Sequence, residues 1–145
     1  MPLNMRQAEQ KDVEDLRALM DAMSHTAISA EHMLNRMQLI EKSQMDSLYV
    51  CEEDKKIVGL LGFRIRENIE EMSRFGEVSA IVVDAKNKRK GIGRFMMEYA
   101  EHLAKEFQCK GMWLVSGFPR EEEAHKFYKQ LGYQTTGYRF VKLFQ

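Results

Sequence analysis

Cysteine is nearly absent from this chain. Cys51 and Cys109 are the two in 145 residues, and they stand far apart with no C-x-x-C and no Cys/His cluster at metal-ligand spacing. That predicts neither a disulfide nor a structural zinc, and leaves two buried, reduced thiols packed as small hydrophobes. Long apolar runs are missing too: no window approaches the roughly 18 consecutive apolar residues of a membrane span. Met1-Pro2-Leu3-Asn4 lacks the basic-then-apolar layout of a secretory leader, so a cytoplasmic location without a membrane partner is expected. An excess of one charge is also lacking. The 22 Lys and Arg balance 22 Asp and Glu, so no global field recruits nucleic acid, and any basic site must be local.

Further absences narrow the chemistry. His25, His32, His102 and His125 are scattered, none beside a Cys or Asp at ligand spacing, so they read as surface imidazoles and no metal is expected. No Ser/His/Asp arrangement can be argued. The string G-x-x-x-x-G-K-S/T of a P-loop does not occur, and a dinucleotide fingerprint would need a third small residue where Met96 stands. With 44% hydrophobic residues and no repeat, low-complexity stretch or linker, residues 1–145 are expected to form a single domain.

What is present is concentrated between Val78 and Phe107. Val78 to Val83 is apolar apart from Ser79 and rich in β-branched residues, the pattern of a strand covered on both faces. A polar and basic segment, Asp84 to Lys90, leads to Gly91-Ile92-Gly93. From there Ile92, Phe95, Met96, Tyr99, Ala100, Leu103, Ala104 and Phe107 keep helical spacing, which predicts a long helix with one apolar face. A helix start exposes unpaired N–H groups and the positive end of the dipole, and glycines there let an anion approach the backbone. Lys86, Lys88, Arg89, Lys90 and Arg94 surround this one. The guest these residues predict is a phosphate or diphosphate.

Lys88-Arg89-Lys90-Gly91-Ile92-Gly93 after an apolar strand resembles the diphosphate-binding signature of the GNAT superfamily of acetyl-CoA-dependent N-acetyltransferases, Gln/Arg-x-x-Gly-x-Gly/Ala. Lys88 stands where the family has Gln or Arg, keeping the cation. Downstream, Ala124 to Tyr133 is similar to the second landmark, A-x-x-F/L-Y-x-x-x-G-F/Y. Glu121 stands where many relatives carry an Asn on the coenzyme arm, so it is left out of the site.

The rest of the chain agrees in element order. A strand is expected over Asn4–Ala8, then a helix capped by Asp12 with Val13, Leu16, Leu19, Met20 and Met23 on its stripe, up to Ser24. Ser29 caps a second helix, with Met33, Met37 and Ile40, to about Lys42. The 11 methionines read as unbranched core filler, with no chemistry assigned. Strands follow over Leu48–Glu52 and Lys56–Arg66 about a tight turn at Glu53–Lys55, then a solvated acidic loop, Glu67–Arg74, before the central strand. After the long helix come a strand over Gly111–Val115, a helix opened by Pro119 and closed by Gly132, and two strands, Tyr133–Thr136 and Arg139–Phe144, about Gly137. The resemblance implies an α/β (α+β) fold: a mixed, mostly antiparallel sheet of 6–7 strands flanked by about four helices.

The resemblance also implies a chemistry. Backbone N–H groups from Arg89 through Arg94 (Arg89, Lys90, Gly91, Ile92, Gly93, Arg94), with the Lys88 cation, would hold the diphosphate of acetyl-CoA. Ile81 and Val83 would offer main-chain groups to the pantetheine arm, which lies beside a splayed central strand, and Ile81 or Val82 would donate an N–H to the thioester carbonyl. Glu77, at the start of that strand, resembles the glutamate base of histone-type members; ordered water is the alternative. Tyr128 matches the tyrosine that protonates the departing sulfur, and packing alone is its alternative. The acceptor would be a small-molecule or peptide amine, with Ser24–Ile28 lining its pocket. A second copy could cover the edge strand Arg139–Phe144, giving a homodimer. From a different class, a non-catalytic acyl-CoA-binding sensor could use the same basic patch. A nucleic-acid partner is not expected, since no aromatic residue interleaves the basic run.

Overall fold

Two residues with left-handed backbone close the first hairpin. Asp54 and Lys55 take φ of 52° and 65° between β2 (Asp46–Glu53) and β3 (Lys56–Glu67), the two-residue geometry that matches strand twist. The structure is a computed structural model that describes residues 2–24, 27–88, 90–116 and 121–144, without the Glu121 side chain. These residues fall into two compact units, 1–113 and 114–145. The first holds β1 (Leu3–Gln7), α1 (Val13–Ser24), α2 (Ala30–Lys42), β2, β3, β4 (Arg74–Val83), α3 (Ile92–Glu106) and β5 (Gly111–Trp113). The second holds α4 (Glu121–Gln130).

The five strands lie in the order β1-β2-β3-β4-β5. The first four pair antiparallel, and β5 joins β4 in parallel, so the sheet is mixed and mostly antiparallel as expected. Successive strand residues face opposite sides, and β3 shows both. Leu60 packs with Leu16, Leu19, Met33, Met37, Val50 and Val82 beneath α1 and α2. On the other side α3 buries Ile92, Met96, Met97, Ala100, Leu103 and Ala104. A Cβ on Gly76 would sit 2.8 Å from the Phe63 ring and 3.0 Å from Ala104, so a glycine there lets α3 lie close on β4. Phe107, expected on the apolar face, is the C-cap of α3 and is 41% exposed, stacking on Phe63 at 6.4 Å.

Two expectations are corrected. Among the described residues the sheet has five strands rather than 6–7, β5 stops at Trp113, and residues 133–144 carry no strand. Strand propensity is realised only against a partner, and a lone two-stranded hairpin is marginal; Tyr138, Phe140, Leu143 and Phe144 are correspondingly exposed. Asp12 does not cap α1 directly. It closes a 3₁₀ turn over Gln10–Asp12, accepting the Glu9 N–H at 2.7 Å and both Arg6 Nη atoms at 2.8 and 2.9 Å. Arg6 also reaches Glu52 at 3.2 Å, so one guanidinium ties β1, β2 and the start of α1 together. Ser29 does cap α2, accepting the His32 N–H at 3.0 Å.

Arg6 holds the Asp12 carboxyl below the usual carboxylate range. Replacing Arg6 by Met strands a buried carboxylate and should cost about 2–4 kcal/mol in urea unfolding at neutral pH. A depressed folded-state pKa contributes stability above the unfolded value, about 3.9, and loses it as pH falls through the lower folded value. The gap between wild type and Arg6→Met should therefore close below about pH 4; a constant gap would contradict this assignment.

Candidate active site

The β3–β4 register changes once. Leu60, Leu61 and Gly62 face Val82, Ile81 and Ala80, after which Phe63 faces Val78, so Ser79 is the extra residue of a β-bulge. Hydrogen bonds at the two ends fix which amides face β3: Asp84 N–H to Val58 O and Asn68 N–H to Ser73 O, both 2.9 Å. An antiparallel ladder alternates from such pairs, so Ala80 and Val82 turn their main-chain groups to β3, and Ile81 and Val83 turn theirs to the opposite edge. On that edge β5 pairs only with Phe75, Gly76 and Glu77. Within residues 1–113, β4 is thus bonded on both sides up to Glu77 and on one side beyond it.

β4 leads through Asp84 and a 3₁₀ turn, Ala85–Asn87, to the start of α3. Gly91 takes φ 78° as the N-cap, and no side chain caps the helix. The first intrahelical bond runs from Phe95 N–H to Gly91 O at 3.0 Å, so the N–H groups of Ile92, Gly93 and Arg94 have no intrahelical acceptor. No acid stands in that first turn. Lys86, Lys88 and Lys90 are exposed around it; Lys90 Nζ donates to Asn87 at 3.1 Å and Arg94 to Glu98 at 3.3 Å. Arg89 lies outside the described residues.

Glu77 sits on the sheet face that carries Leu60, Arg64 and Arg66, directly across from Arg64. Its side chain is 15% exposed, and Oε1 accepts from Arg66 Nη1 at 2.9 Å. The same guanidinium lies 4.4 Å above the ring centroid of Trp113, the cross-strand neighbour of Glu77 on β5. Sequence reasoning missed Arg66 and Trp113. The alternation Phe63-Arg64-Ile65-Arg66 was the available signal, yet the partner of each arginine depends on a register that sequence does not reveal.

In the second unit the landmark around Tyr128 has a mechanical meaning. Gly132 takes φ 94°, Tyr133 N–H donates to Tyr128 O and Gly132 N–H to Lys129 O, both at 3.0 Å. This is a Schellman cap, whose usual apolar contact is made by Tyr128 and Tyr133 with centroids 6.0 Å apart. Phe127 packs edge-on at 5.1 Å. The Tyr-x-x-x-Gly-Tyr spacing therefore ends α4 and braces the Tyr128 ring. Pro119, the Glu121 side chain and His25 and Thr26 of the expected acceptor loop lie outside the described residues. Among the described residues, no group of three or more His, Cys, Asp or Glu is placed to hold a metal ion, and no helix is long and apolar enough to cross a membrane.

Comparison with known proteins adds the following. The model of the acetyltransferase (GNAT) family matches residues 13–133. An uncharacterized N-acetyltransferase of Bacillus subtilis, YhdJ, is 26% identical over 118 residues, covering 81% of this chain and 82% of that one. An aminoalkylphosphonate N-acetyltransferase of Salmonella typhimurium is 25% identical over 87 residues, 60% of this chain and 56% of that one. Among solved structures, that of a transcriptional regulator from Bacillus halodurans C-125 superposes with a TM-score of 0.90 at 20% identity, covering 99% of this chain and 100% of that one.

Gly91 and Gly132 both have positive φ with open space where a Cβ would stand, whereas Gly137 has open space and no positive φ. Gly91→Ala and Gly132→Ala should each cost about 1–2 kcal/mol of stability from backbone strain alone. Gly137→Ala should be neutral or stabilising by up to about 1 kcal/mol. Urea unfolding of the three variants checks this; equal effects would contradict it.

Proposed function

Since this chain belongs to the acetyltransferase (GNAT) family and is an N-acetyltransferase, we propose that it transfers the acetyl group of acetyl-CoA to a primary amine by direct attack in a ternary complex. The observation that carries this reading is that, within residues 1–113, the β4 edge left unpaired past Glu77 runs on to a helix start at Gly91 with no side-chain cap. Unpaired amides along an edge suit an extended amide-bearing arm, and converging N–H groups beside exposed lysines suit a diphosphate. GNAT enzymes use acetyl-CoA, and these residues fit it.

In this reading the N–H groups of Arg89, Lys90, Gly91, Ile92, Gly93 and Arg94 grip the diphosphate, with Lys88 adding charge. Ile81 and Val83 hydrogen-bond the arm, and Val82 anchors their strand through its buried side chain. Ile81 N–H, rather than the Val82 N–H that faces β3, donates to the thioester carbonyl oxygen and stabilises the charge that develops there. Glu77 takes a proton from the acceptor nitrogen, directly or through water, so that the nitrogen lone pair can form the new N–C bond. As the C–S bond breaks, Tyr128 gives its phenolic proton to the sulfur; the phenol and thiol pKa values, about 10 and 8.5, make that transfer feasible in a dry site. Residues 1–145 are read as a single GNAT domain, and its location as cytoplasmic. The acceptor is an amine of the kind that the aminoalkylphosphonate relative's name states for that protein.

A thiol-release assay with acetyl-CoA and a panel of amines tests the reading: 2-aminoethylphosphonate, an aminoglycoside, free amino acids and a lysine-bearing peptide. At least one should release CoA with stoichiometric acetylation. CoA binding without turnover on any amine would favour the sensor reading instead. Tyr128→Phe keeps the ring contacts and removes the proton, so kcat should fall roughly 100-fold or more with the KM for acetyl-CoA unchanged. Unchanged turnover would reduce Tyr128 to a packing residue.

A further inference from the structure

Glu77 occupies a particular place in the ladder: it is the last residue of β4 with a partner strand on both sides, Arg64 on β3 and Trp113 on β5. The strand has a neighbour on both edges at this point, immediately before the stretch that β5 does not reach. The side chain of Glu77 is itself held. Arg66 Nη1 donates to Oε1 at 2.9 Å, and the guanidinium rests on the indole of Trp113 at 4.4 Å. Among the described residues the structure gives no donor to Oε2, so one carboxylate oxygen is fixed and the other remains for an incoming amine.

We propose that Arg66 is the positioning residue of Glu77, with Trp113 as its brace, so that the Arg66–Glu77–Trp113 cluster aims the base at the acceptor nitrogen. This rests on the reading of Glu77 as the base. An unassisted glutamate has three rotatable bonds; a carboxylate bonded to a stacked guanidinium has few orientations left, which is the kind of pre-positioning that general-base catalysis depends on. The planar guanidinium also meets both needs at once, since it can stack on an aromatic face and donate in its own plane, which an ammonium cannot do. Arg64 faces Glu77 and feels its charge, but the side-chain hydrogen bond it makes is to Asp46, from Nε at 2.7 Å. Lys110 is paired with Glu71 and lies toward Phe75. During turnover the proton from the amine goes to Glu77 Oε2, while Arg66 keeps its own proton throughout.

The alternative is an ion pair that only stabilises the β3–β4 hairpin, and a double-mutant cycle separates the two. Arg66→Met, Arg66→Lys, Glu77→Gln and the Arg66→Met/Glu77→Gln double variant are assayed with whichever amine of the panel releases thiol fastest. Glu77→Gln should lower kcat roughly 100-fold or more. Arg66→Met should lower kcat roughly 10- to 100-fold without changing the KM for acetyl-CoA, and Arg66→Lys should fall between Arg66→Met and wild type. In the Glu77→Gln background Arg66→Met should have no further effect on kcat. Trp113 is the sole tryptophan, so its emission reports the loss of the stacked guanidinium independently of activity. An equal fold-loss for Arg66→Met in both backgrounds would overturn the positioning role while leaving Glu77 as the base. Full activity of Glu77→Gln would overturn the base reading and this inference with it, and unchanged Trp113 emission in Arg66→Met would show that the brace is not formed in solution.

Discussion

Backbone amides need partners, and the main-chain groups of Ile81 and Val83 have none that β3 can supply. The alternation of the antiparallel ladder commits Ala80 and Val82 to β3, and the pairing with β5 ends at Glu77. An N–H left without an acceptor is costly wherever water is excluded. In the proposed function an extended ligand carrying its own amides would remove that cost on binding, and the edge would serve as a recognition element. The bulge at Ser79 sets which residues face that edge, because it shifts the register of β4 against β3 by one residue.

The remainder of the first unit keeps that edge in place. Leu60 and Val82 are held beneath α1 and α2, while Gly76 lets α3 settle against the other face of β4. The same helix presents its uncapped start at the far end of the strand. One packed helix therefore both covers the central strand and presents, at its first turn, N–H groups without an intrahelical acceptor, which the proposed function assigns to a diphosphate. Glu77, at the opposite end, is fixed by strands on either side and by Arg66 above Trp113. Anchor, edge and carboxylate follow one another along a single strand and the helix after it.

Much of this was legible in the residues. The β-branched run Val78–Val83 marked a covered strand, Gly91-Ile92-Gly93 marked a helix start that no side chain caps, and Gly132 before Tyr133 marked a left-handed helix end. The bulge was not legible, because one extra residue in an apolar run leaves its composition unchanged while reversing which amides face outward. The Arg66–Glu77 pair was hidden for the related reason that it depends on a register set across the turn at residues 68–73. Asp12 looked like an ordinary cap because its real partner, Arg6, is brought to it by the fold. The strands expected over Tyr133–Thr136 and Arg139–Phe144 rested on propensity alone, which does not decide whether a ladder forms.

The most direct measurement is residue-resolved amide hydrogen exchange on the protein with and without CoA. Binding should slow exchange at Ile81 and Val83 and at Ile92, Gly93 and Arg94, and leave Ala80 and Val82, already bonded to β3, little changed. Saturating CoA that left Ile81, Val83 and the first turn of α3 exchanging as freely as before would contradict the account.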